Sequence, residues 1–71
     1  MTTRDIVRMT NQIAEFFHPY PHDEALRETA NHLRSFWDPR MRDALLKHLK
    51  SGGDGLNALA LEAAQVLEKD T

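Results

Sequence analysis

Apolar residues recur at intervals of three and four along most of this chain, the spacing that lines one face of an α-helix. Ile6, Met9, Ile13, Phe16 and Phe17 carry the pattern first, with Thr3 placed as an N-cap and Asp5 in the first turn, where a carboxylate suits the helix dipole. His18-Pro19-Tyr20-Pro21 then stops the helix, because each proline fixes φ and drives the residue before it out of the α region. In the second helix Leu26, Ala30, Leu33 and Trp37 form one stripe, and Ala25, Thr29, His32 and Phe36 form a half-polar stripe beside it. The first stripe is expected in the core and the second at its edge, with Glu24, Glu28, Asn31 and Ser35 toward solvent.

Asp38-Pro39 leaves no room for a linker. Asp38 precedes a proline and is biased away from α, its carboxylate can accept the N–H of Arg40 or Met41, and Pro39 suits a first helical position. The third helix turns Met41, Ala44, Leu45, His48 and Leu49 inward, carries Lys47, His48 and Lys50 in its last turn, and ends at Gly52-Gly53. Asn57 is the next N-cap, with Leu56 and Leu61 spaced as a hydrophobic staple, and Leu59, Ala60, Ala63, Val66 and Leu67 continue the pattern. The expectation is an all-α, small four-helix domain spanning residues 1–71, with helices at about 4–17, 22–37, 39–51 and 58–68, short loops and no strand.

Composition narrows what such a domain can do. A chain of 71 residues without cysteine has no disulfide to staple it and no thiolate for an iron–sulfur cluster or a Cys-based zinc site. A domain this small buries only about 60% of its unfolded surface, so a partner that covers further apolar area would stabilise it. The net charge of −2 argues against a dedicated nucleic-acid binder. No apolar run approaches the ~20 residues that span a bilayer, and Thr2-Thr3-Arg4-Asp5 leads straight into an amphipathic pattern rather than a signal sequence, so a cytoplasmic protein is expected.

Candidate chemistry is sparse. His18 and His22 are four apart, but the intervening prolines remove helical i, i+4 geometry, and no carboxylate pair accompanies them; no metal ligand is assigned. Ser35 and Ser51 lack a nucleophile elbow, and Ser51-Gly52-Gly53-Asp54-Gly55 follows a helix rather than a strand and lacks the Lys-Ser/Thr of a phosphate loop, so no catalytic or cofactor-binding residue is assigned either.

What remains is a patch. Arg34, Phe36, Trp37, Arg40 and Arg42, with His32 at its margin, gather around the Asp38-Pro39 corner and are of the types enriched at binding hot spots. Arg40 and Arg42 stand at a helix N-terminus, where the dipole disfavours positive charge, and an acidic partner surface would account for that placement. A solvated charged face is the plain alternative, and a small protein- or nucleic-acid-binding module unrelated to any enzyme is another.

The run Ala30-x-His32-x-Arg34-x-Phe36-Trp37-x-Pro39-Arg40-Met41-Arg42 resembles the signature of the delta subunit of soluble NAD-dependent formate dehydrogenase. Met9-x-Asn11-x-Ile13-x-x-Phe16-Phe17 and Pro21-x-x-Glu24-Ala25 are similar to the same family in order and spacing, and the likeness runs from about Ile6 to Leu67. The resemblance implies a non-catalytic accessory subunit of a bacterial, cytoplasmic complex that oxidises formate to carbon dioxide and passes the electrons to NAD. It also implies that the molybdenum or tungsten pterin cofactor, the iron–sulfur clusters and the flavin belong to larger partner subunits. Stabilising the assembled complex is the role expected of the small chain, with help in cofactor insertion as the other.

Overall fold

A computed structural model describes residues 1–70. Among them are four α-helices and no strand: α1 (Thr3–Phe17), α2 (His22–Phe36), α3 (Pro39–Lys50) and α4 (Ala58–Lys69). The expected helices are therefore present, each end within a residue or so of its predicted place.

The caps show why the helices begin and end where they do. Asp38 caps α3 by accepting the Met41 N–H at 3.0 Å, with Pro39 at the first helical position. Asn57 caps α4 by accepting the Ala60 N–H at 2.8 Å. The α1 cap is Thr2 rather than Thr3. Thr2 accepts the Asp5 N–H at 3.1 Å while the Asp5 carboxylate accepts the Thr2 N–H at 3.3 Å. That reciprocal box needs an acid three residues after the cap, and only Thr2 has one; three residues after Thr3 is Ile6. α3 closes in a Schellman turn, with the Gly53 N–H on His48 O at 2.9 Å and the Gly52 N–H on Leu49 O at 3.0 Å. Gly53 lies at φ +67° and is buried, and a Cβ there would stand 2.9 Å from Leu61 Cδ1 and 3.5 Å from Leu56 Cδ1.

Small side chains dominate the core. Ala60, Ala63 and Ala64 line α4, Ala25, Thr29 and Ala30 line α2, and Thr10 and Ala14 lie on α1, all buried. Ile6, Leu33, Trp37, Leu45 and Leu67 supply the bulk between them. α2 packs more extensively on α4 than any other pair of helices does on each other. Small residues on both partners allow that approach, and it buries the Ala25–Thr29 stripe that was expected at the core's edge. The buried hydroxyls satisfy themselves: Thr10 donates to Ile6 O and Thr29 to Ala25 O, both at 2.7 Å.

Two large residues depart from the amphipathic reading. Phe16 was expected on the inner face of α1 but is 70% exposed. Ile6, Thr10 and Ala14 are the buried line of α1, Ile13 and Phe17 lie partly buried beside it, and Phe16, at about 100° from Phe17, falls on the outer flank. Trp37 was expected inside α2 but is its C-cap, in extended conformation (φ −87°, ψ 139°). Leaving the helix at Trp37 keeps the indole in the core cluster while Phe36, one residue earlier, is 76% exposed.

Candidate partner-docking surface

The corner between α2 and α3 places the predicted contact residues on three different footings. Trp37 is 5% exposed and belongs to the core, yet it also lines a groove of about 460 Å³ between the second half of α1 and the end of α2. Met9, Ile13, Phe16 and Phe17 form the α1 side of this groove, Gln12 sits on its rim, and His32 with Trp37 forms the α2 side. The His32 ring stacks on Phe36 with centroids 4.9 Å apart, and Phe17 meets Phe16 edge-on at 5.0 Å. Phe17, His32 and Phe36 also line a shallower depression alongside. The result is one continuous aromatic face that carries two exposed phenylalanines.

The three arginines are not equivalent. Arg42 Nη1 donates to Arg34 O at 3.2 Å and also to Trp37 O. These are carbonyls of the last turn and C-cap of α2, groups that a helix end leaves without intrahelical partners. Arg42 belongs to the N-terminus of α3 in sequence but serves the negative end of the α2 dipole, which resolves its unfavourable position. Arg34 donates to Asn31 Oδ1 at 2.7 Å and pairs with Asp70 beyond the end of α4. Arg40 is exposed and has no hydrogen bond or ion pair among the described residues, so it is the cation of the corner that is free for a partner.

His22 and His48 have local roles. His22 Nε2 lies 3.1 Å from Glu62 Oε2 and ties the start of α2 to α4, and His48 Nε2 lies 2.7 Å from Asp54 O. Among the described residues no group of three or more His, Cys, Asp or Glu side chains is arranged to hold a metal. An iron–sulfur cluster does not fit a chain without cysteine.

Asn11 is the position whose role spacing alone did not show. Its Nδ2 donates to Gly55 O and its Oδ1 accepts the Asn57 N–H, both at 2.9 Å. One amide thus fastens α1 to the α3–α4 loop and to the cap of α4. In the sequence Asn11 is one of three consecutive polar residues, Thr10-Asn11-Gln12, and nothing local sets it apart from an exposed amide.

The chain is thus a small all-α domain with a packed core of its own and two phenylalanines left to solvent. The family model for the NADH-dependent formate dehydrogenase delta subunit, FdsD, matches residues 5–64, and the chain belongs to that family. The matched span runs from the first turn of α1 into the middle of α4 and includes Arg34, Phe36, Trp37, Arg40, Arg42 and His32, the candidate residues of the corner. No curated protein and no solved structure matches the chain. No helix among the described residues is long and apolar enough to cross a membrane.

Proposed function

We propose that this chain, folded as one helical domain over residues 1–71, is the non-catalytic delta subunit of a cytoplasmic, NAD-linked formate dehydrogenase complex. It docks on the larger subunits through the α2–α3 corner and stabilises their assembly. The molybdenum or tungsten pterin cofactor, the iron–sulfur clusters and the flavin reside in those larger subunits, and the conversion of formate to carbon dioxide takes place there.

The observation that carries this reading is the exposed face within the family-matched span, with Phe36 at 76% exposure and Arg40 unpaired beside a Trp37 already committed to the core. Arg40 supplies a planar guanidinium for bidentate contact with a carboxylate. His32 and Phe36 supply aromatic area, while Arg42 holds the corner through the carbonyls of Arg34 and Trp37, and Arg34 is held by Asn31 and Asp70. The test is co-purification of the large subunits with tagged chain. Arg40→Glu and Phe36→Ser are each expected to reduce the captured large subunit by at least about tenfold while the melting temperature of the isolated variant does not fall. Full capture by both variants would remove the corner from the interface.

A further inference from the structure

We propose that the outer face of α3 is an electrostatic docking strip for an acidic surface of a larger subunit. The inference rests on the reading that this chain docks through the α2–α3 corner, and it adds a second, charged surface that leads away from that corner.

The strip is made of Arg40, Asp43, Lys47 and Lys50, all exposed. At about 100° per residue the four fall within about 80° of arc, centred opposite Leu45, which is fully buried. From Arg40 to Lys50 the strip is about 15 Å long. None of its three cations makes an ion pair among the described residues. Asp43 stands three residues after Arg40 and four before Lys47, spacings at which helical ion pairs form, yet it pairs with neither.

Charge is segregated onto this helix. α3 holds Arg40, Arg42, Lys47 and Lys50 against Asp43 alone, a net charge of +3 in a chain of net charge −2, so the rest of the chain carries −5. Arg42 is spent on the carbonyls at the end of α2, which leaves the other three cations to solvent. The helix dipole accounts for part of the arrangement only. It favours Lys47 and Lys50 in the last turn of α3 and disfavours Arg40 in the first. A line of carboxylates on a partner accounts for all three.

A protein surface fits the strip better than a nucleic acid does. Phosphates would meet Asp43 in the middle of the strip, and a chain of net charge −2 repels a polyanion at long range. A protein can set carboxylates against the cations and a single donor against Asp43. Exposed charges of this kind act chiefly on the rate of association and on its salt dependence.

The experiment measures binding of the large subunits, purified without this chain, to the immobilised chain by surface plasmon resonance at about 20 mM and about 500 mM salt. Lys47→Gln combined with Lys50→Gln is expected to lower the association rate at least about fivefold at low salt and to match the wild type at high salt. Lys47→Glu combined with Lys50→Glu is expected to lower it further at low salt. Variants that merely loosened α3 would bind worse at both salt concentrations; that result, or unchanged rates at low salt, would overturn the proposal. Phe36→Ser separates the two readings, because it alters the corner and leaves the charges of the strip in place. Loss of binding in Phe36→Ser with unchanged rates in the lysine variants would retain the corner and discard the strip. Retardation of a DNA or RNA probe by the wild-type chain at low salt, abolished in the glutamine variant, would assign the strip to nucleic acid and overturn the proposal as well.

Discussion

Replacing Asn11 with alanine tests the polar fastening of the α3–α4 loop to α1, which acts beside the packing of Leu56 on the core. The Asn11 amide makes two hydrogen bonds of 2.9 Å to residues 44 and 46 positions away, and the Asn57 N–H it accepts is partly buried. An ordinary hydrogen bond contributes about 0.5–1.5 kcal/mol net, and a donor left buried without a partner costs about 1–3 kcal/mol. Water can reach Gly55 O, which is exposed, so most of the loss falls at Asn57. Together these give about 2 kcal/mol. For a domain of this size each kcal/mol moves the melting temperature by about 4–8 °C, so Asn11→Ala should melt about 8–16 °C lower by circular dichroism at 222 nm. Asn11→Asp refines the test. It keeps an acceptor for Asn57 but presents a second oxygen to Gly55 O in place of a donor, and it should fall between alanine and the wild type. A drop of less than about 3 °C for Asn11→Ala would mean that the amide is not what fastens the loop.

Asp38→Ala removes the α3 cap and should lower stability by about 0.5–2 kcal/mol in urea titration, with the m-value unchanged. Gly53→Ala puts a Cβ at φ +67° and 2.9 Å from Leu61 Cδ1, and should destabilise by about 1–3 kcal/mol; a neutral result would show that the Schellman turn relaxes freely. Hydrogen bonds from the Thr2 backbone N–H and then from Arg8 hold the Asp5 carboxyl below its ordinary 3.8, so the folded chain favours the ionised form. That contribution to stability is complete above 3.8 and is lost as pH falls through the lowered folded value, and carbon-13 titration of the Asp5 carboxyl should show a midpoint under 3.8. A midpoint at or above 3.8 would remove the capping box as a stabilising device.

The helices were legible in the sequence because every signal for them is local. Asp38-Pro39, Asn57 and Gly52-Gly53 mark their boundaries through residues within a few positions of the groups they serve. The contents of the core were less legible, because burial depends on the opposite helix. Nothing in Ala25 announces that Leu59 and Ala60 of α4 pack with it, and nothing in Phe16 announces that its side of α1 stays open to solvent. The candidate residues of the α2–α3 corner can be named from the sequence, but their different roles in the fold cannot. Sequence spacing puts Arg42 at a helix N-terminus, where its charge is unfavourable. Only the fold turns the end of α2 toward it and makes the same charge a cap.

That division bears on how binding and stability are separated in this chain. Arg42→Glu would place a carboxylate against the carbonyls at the end of α2, so loss of a partner in that variant could follow from a loosened corner rather than a lost contact. Arg40→Glu carries no such ambiguity, because Arg40 has no partner to lose among the described residues. The same logic applies to the aromatics. Burying a phenylalanine stabilises by about 1.5–3 kcal/mol, yet two of the three in this chain lie at 70% and 76% exposure while alanine and threonine fill much of the interior. A domain shaped only for its own stability would place those side chains the other way round. Local departures from the rules of burial concentrate where a surface has work to do, and here both fall on one face. Filling the interior instead should leave binding intact: Ala30→Val or Ala64→Val would change melting through overpacking without altering capture of the large subunit. Phe36→Ser would do the reverse. Matching changes in melting and capture for both kinds of variant would mean that the exposed face and the core are one structural unit and that the face has no separate function.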